Sequence, residues 1–160
     1  MITTLEILFL LILGLLFYQD IKERKVSLWI LITGIVVGGI IHFMKQNTTV
    51  FLTTVCVNLL FISLICGMLW VYAKFKMKQA LFSVFGSGDL LFFVLLGGSL
   101  PIVSFLLLFV FSLIFSLSIF MLLRKQFIKK TIPLAGLQSL FLGLLIISNK
   151  LTNNIDLYAI

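Results

Sequence analysis

Apolar residues fall into six long runs, separated by short clusters of charge and glycine. They cover about Ile2–Gln19, Ser27–Met44, Val50–Ala73, Leu81–Leu100, Pro101–Leu123 and Ile132–Ser148. A helix that crosses a bilayer needs about 20 mostly apolar residues, and these runs have that length. Pro101 suits the opening of the fifth run, because the first turn of a helix has no use for the missing N–H. No soluble domain, low-complexity tract or extended linker interrupts the series. The expected fold is an all-α membrane bundle of six transmembrane helices, forming one domain over residues 1–160.

The charges between the runs orient the bundle. Lys22, Arg24 and Lys25 follow the first run, Lys74, Lys76 and Lys78 the third, and Arg124, Lys125, Lys129 and Lys130 the fifth. That places 10 of the 12 cations on one side and leaves Lys45 and Lys150 on the other. The positive-inside rule makes the crowded side cytoplasmic and puts both termini outside the cell membrane. Tyr18, Trp29, Trp70 and Tyr72 fall near the same boundary, where interfacial aromatic residues gather.

Composition supports the pattern. Hydrophobic residues make up 62% of the chain, against roughly 45–50% in ordinary soluble domains. Mean hydropathy is +1.29. So little polar surface excludes a cytosolic enzyme, a disordered tail and a secreted disulfide scaffold. The net charge of +7 would suggest nucleic acid in a soluble protein; here it belongs to topology and to anionic lipid, and no nucleic-acid partner is expected. Cys56 and Cys66 share one apolar run with no metal-type spacing, and are expected as buried small hydrophobes. The first run lacks a basic start and a small-residue cleavage site, so it is expected to stay as a helix.

Five carboxylates carry whatever acid–base chemistry the chain has: Glu6, Asp20, Glu23, Asp89 and Asp156. Glu6 and Asp156 are expected to be solvated or interfacial on the outer side, and Glu23 to pair locally with its basic neighbours. Asp20 closes the first run and Asp89 follows Gly86-Ser87-Gly88 in the fourth, so topology puts both on the cytoplasmic side. An aspartate inside a spanning helix costs roughly 2.5–3.5 kcal/mol, and it usually faces a wet cavity or the bundle interior. Two aspartates that meet share a proton and can hydrolyse an amide as general acid and base, without a metal or cofactor. Gly86 and Gly88 would let backbone approach a substrate in conformations other residues avoid. A plainer reading remains: glycines as helix-packing residues and aspartates as helix caps. Paired acids also mark ion and proton pathways, so a transporter is the competing class, and an inactive assembly subunit the third.

Three stretches resemble the type IV prepilin peptidases, a family of membrane aspartic proteases. Gly86-Ser87-Gly88-Asp89 is similar to their G-x-G-D motif. Asp20 with the basic run after it, through Val26, resembles the first-aspartate motif. Ile132-Pro133-Leu134-Ala135-Gly136 is similar to the proline-containing start of their last helix. Ser27 and Leu28 stand where the family has Pro-Asn, and Leu91 where it has a lysine. The resemblance implies a catalytic pair of Asp20 and Asp89, substrate-contacting backbone at Gly86 and Gly88, and a supporting role for Pro133. It also implies a prepilin-like substrate of a pilus or secretion system, with a basic leader and a hydrophobic helix, cut at the cytoplasmic face. The absence of a cysteine-bearing insertion is similar to the short, peptidase-only form found among preflagellin peptidases.

Overall fold

A computed structural model describes residues 2–78, 85–123, 132–152 and 157–158. Among these the chain forms six α-helices and no strand. They are α1 (Ile2–Glu23), α2 (Leu28–Lys45), α3 (Thr48–Tyr72), α4 (Ser87–Ser99), α5 (Ile102–Leu123) and α6 (Leu134–Thr152), with α3 running on into a π-helical turn, Ala73–Met77. The expected all-helical membrane bundle is what forms, and five of its helices are long and apolar enough to span a bilayer. The cationic segment Arg124–Lys130, Asp156 and the start expected at Leu81 lie outside the described residues.

The fourth helix differs from expectation. Gly86 is extended, with φ −63° and ψ 136°, and the described helix begins only at Ser87. The four residues Gly86-Ser87-Gly88-Asp89 interrupt the apolar run at this point, but its length on either side reads as one span. The resulting 13 residues span about 20 Å at 1.5 Å per residue, short of the ~30 Å hydrocarbon core.

Short as it is, α4 sits at the centre, packed against α2, α3, α5 and α6. Phe92, Leu95 and Leu96 on it are sealed from the surface. Two glycines of α2 permit this approach. A Cβ on Gly34 would come 2.7 Å from Leu95 Cδ1, and one on Gly38 would strike Ser99. In lipid, where apolar burial gives helices little reason to associate, such close packing is a main source of cohesion.

Because α4 stops inside the bundle, its last carbonyls need partners that water would otherwise supply. Asn58 of α3 donates Nδ2 to Gly97 O at 2.8 Å and to Leu100 O at 2.9 Å. His42 of α2, fully buried, sets Nδ1 3.1 Å from Gly98 O. Thus His42 and Asn58 are structural, while Ser63 bonds within its own helix, to Leu60 O. The chain's tail returns to this end: Ser104 Oγ donates to Leu157 O and Gln46 Nε2 to Tyr158 O. Phe105 and Phe109 of α5 are core residues, with Phe61 and Phe93 set edge-on to Phe109, while Phe111 faces outward.

The expected burial of the cysteines does not hold. Cys56 is exposed and Cys66 half-buried, both as free thiols. On a membrane protein the outer face is as apolar as the core, so hydrophobicity does not say which way a side chain points.

Candidate active site

Asp20 lies in the last turn of α1 and Asp89 in the first turn of α4. The helices run so that these two ends coincide, and both aspartates line one cavity of about 360 Å³. Gly86, Ser87, Gly88, Arg24 and Lys25 line it as well. Asp20 is 7% exposed and Asp89 half-buried.

What holds the carboxylates is the start of α6. Gly136 N–H donates to Asp20 Oδ2 at 2.6 Å, and Ala135 N–H donates to Asp89 Oδ1 at 2.9 Å. These are first-turn amides, which have no acceptor inside their own helix. The helix dipole adds favourable positive potential at the same place. The donors belong to adjacent residues, whose Cα atoms are about 3.8 Å apart, so one helix end gathers both acids. Each acid keeps a second oxygen that these two bonds do not use.

Pro133 is buried and caps α6; its carbonyl accepts from Leu137 N–H at 3.0 Å. Its missing N–H costs nothing at a helix start. Gly136 has a stricter requirement, since a Cβ there would come 2.9 Å from Asp20 Cβ and 3.0 Å from Asp20 Oδ2. Only a residue without a side chain lets α6 approach Asp20 closely enough to donate.

The two glycines before Asp89 act differently from expectation. None of the described glycines has positive φ, so Gly86 and Gly88 are not there for unusual backbone angles. At Gly86 the constraint is space: a Cβ would stand 3.1 Å from Asp89 Oδ2. A Cβ at Gly88 would meet Val26 at 3.5 Å, an ordinary contact. Asp89 N–H and Leu90 N–H both turn back to Gly86 O, closing the first turn of α4.

The segment joining α1 to α2 forms the cavity's other wall. Arg24 N–H bonds Asp20 O at 3.1 Å and ends α1 in the left-handed region, φ 55°. Gln19 Oε1 then accepts from Ser27 N–H at 3.1 Å, fixing the turn into α2. Aromatic side chains near this end are exposed and carry lysines: Lys22 Nζ donates to Tyr18 OH, Lys74 lies over Trp70 and Lys76 over Tyr72. Such pairs suit a membrane–water boundary, where rings sit at headgroup level and long cationic side chains reach water.

The residues read from the sequence as a site are therefore neighbours: Asp20, Asp89, Gly86 and Gly88 directly, Pro133 through the helix it starts. The amides of Ala135 and Gly136 were not read as site groups, because backbone donors leave no side-chain signature. The motif around Pro133 was the available signal. In the sequence Arg24 stands out as topology-setting charge and as part of the basic run after Asp20.

The sequence model of the type IV leader peptidase family matches residues 7–123, which is 117 of the 160 residues. No curated protein and no solved structure matches the chain. Helix α6, which donates to both aspartates, begins beyond the matched stretch. With a family model covering well over half of its length, the chain is a multi-pass membrane protein of the type IV leader peptidase family.

Proposed function

We propose that this protein is an aspartic endopeptidase that removes the basic leader of prepilin-like proteins at the cytoplasmic face of the cell membrane, with Asp20 and Asp89 as its catalytic pair. One observation carries the reading: two carboxylates from separate helices accept from consecutive N–H groups of a third helix, beside an open cavity. Two helix N-termini, those of α4 and α6, favour negative charge there, while like-charge repulsion opposes a second ionised carboxylate. A pair in that balance holds one proton between its members.

The ionised carboxylate takes a proton from water as the water oxygen attacks the scissile carbonyl carbon. The protonated partner gives its proton to the carbonyl oxygen, forming a neutral gem-diol. Collapse of that intermediate breaks the C–N bond, with a proton passing to the leaving amine and a carboxylic acid left on the leader. The pair ends with the single proton it began with, and each step is general acid–base catalysis. Gly86 and Gly88 border the cavity with backbone free of side chains, which suits an extended substrate segment around the cleaved bond.

The test is co-expression with a prepilin-like substrate. Asp20→Asn and Asp89→Asn should each reduce leader removal by about 10³-fold or more while the protein still inserts. Leader removal at the wild-type rate by either variant overturns the reading. Proton-coupled flux in liposomes that disappears with the same substitutions would replace it with transport.

A further inference from the structure

We propose that Arg24 is a positioning residue of this site: its guanidinium sets the charge state in which the Asp20–Asp89 pair is held before substrate enters. The proposal rests on the pair acting as described above and adds a residue to it.

Three observations converge on Arg24. The first is backbone. Arg24 has φ 55°, at the position just past the end of α1 where the chain must turn left-handed. Glycine fills such positions most readily, and a side chain there is strained. The backbone conformation therefore gives no reason for a side chain here, and the positive-inside rule asks only for a cation, not for an arginine aimed at the acids. The second is place: Arg24 lines the same cavity as both aspartates. The third is charge. Arg24 is half-buried, which draws its guanidinium below the ordinary arginine range, while Asp20 and Asp89 both act on it in the opposite sense. A guanidinium stays protonated even so, and delivers a fixed positive charge to both acids.

Among the described residues few other charges compete with it, and Lys78 is exposed. Lys25 lines the cavity beside it, and Lys22 and Glu23 are exposed at the end of α1. The ionisable groups of α2 and α6, His42, Lys45 and Lys150, belong to the opposite end, where both lysines pair with Glu6. Asp89 is the sole ionisable residue of α4, and of the lysines after α3, Lys74 and Lys76 stack on Trp70 and Tyr72. A cation beside a carboxylate favours its ionised form, so removing Arg24 moves the protonation of the pair to higher pH.

The sequence has three aspartates, Asp20, Asp89 and Asp156, so protein labelled at aspartate Cγ gives three carboxyl resonances. They can be assigned with Asp20→Asn and Asp89→Asn in lipid nanodiscs. Arg24→Gln should move the titration of the Asp20 and Asp89 resonances upward by about one pH unit or more, leaving Asp156 in place. Arg24→Gly should do the same although it relieves the backbone, and Arg24→Lys should keep both resonances near wild type. Leader cleavage measured against pH should shift in the same direction in the Gln and Gly variants. Unmoved resonances in folded Arg24→Gln and Arg24→Gly protein overturn the proposal, whatever happens to activity. So does a lysine variant that titrates like the glutamine one. Resonances that shift in a protein with no leader cleavage at all uphold the role of Arg24 and overturn the peptidase reading instead.

Discussion

The two ends of α1 each carry an acid, and the molecule treats them in opposite ways. Glu6 meets Lys45 at 2.8 Å and Lys150 at 3.5 Å, so the two cations that the charge pattern sets apart from the other ten both converge on it. Expected to be solvated or interfacial, Glu6 is a cross-link between α1, α2 and α6. Fourteen residues further along α1, or about 21 Å, Asp20 is held by a backbone amide, and its neighbour Asp89 by the next amide in the chain. Side-chain ammonium groups neutralise a carboxylate and lock it. Amide dipoles at a helix start hold a carboxylate in place with only partial charge, leaving it able to take up and release a proton. One acid is held by ion pairs; the other two, on the proposed reading, are kept responsive.

Substitutions at the two ends should separate these roles. The largest effect, after loss of either aspartate, is expected for Gly136→Ala. The added Cβ would come 2.9 Å from Asp20 Cβ, and a displacement of that kind should lower leader cleavage by about 10²-fold. Its cost in stability should be only about 1–3 kcal/mol, read from thermal unfolding in detergent. Gly14→Ala is the control, since nothing lies within 4 Å of its new methyl, and cleavage should not change. Equal losses in the two variants would mean that α6 does not position Asp20.

Asn58→Leu should show the reverse profile. It strips the partners from Gly97 O and Leu100 O in a buried setting, at a cost of about 2–4 kcal/mol. The unfolding midpoint should fall, while the pH dependence of cleavage by the remaining folded protein stays as in wild type. A shifted pH profile would show that the clamp on the C-terminal end of α4 reaches the acids at its other end.

The smallest effect is expected for Glu6→Gln. The Lys150 side chain is 45% exposed and that of Lys45 27%, so the lost ion pairs should be worth about 1 kcal/mol or less. Cleavage and its pH dependence should be unchanged. If Glu6→Gln instead altered the pH profile, the contrast between the two ends would collapse.

The six apolar runs and the two aspartates are legible because insertion into lipid imposes rules that show in composition: long apolar stretches, cations sorted to one side, and acids kept out of the hydrocarbon unless they have a place to go. Lipid exposure is not legible in this way, which is why Cys56, expected inside, lies outside. The start of α4 is only partly legible: Gly86-Ser87-Gly88-Asp89 breaks the apolar run, but the apolar residues on both sides add up to the length of one span and do not say at which of the four the helix begins. Ala135 and Gly136 are legible only as part of the motif around Pro133, not as donors. Their contribution is an N–H, which every residue except proline possesses, and which matters here only because it opens a helix facing two acids. The requirement for glycine at 136 becomes visible once Asp20 is seen beside it.

The stretch by which the family is recognised stops at residue 123, whereas the amides that grip both acids come from α6, which starts at Leu134. A fragment trimmed to the recognisable portion would keep Asp20 and Asp89 but lose what gathers them. On the proposed reading, a piece cut to the matched residues would still be recognisable and yet unable to work.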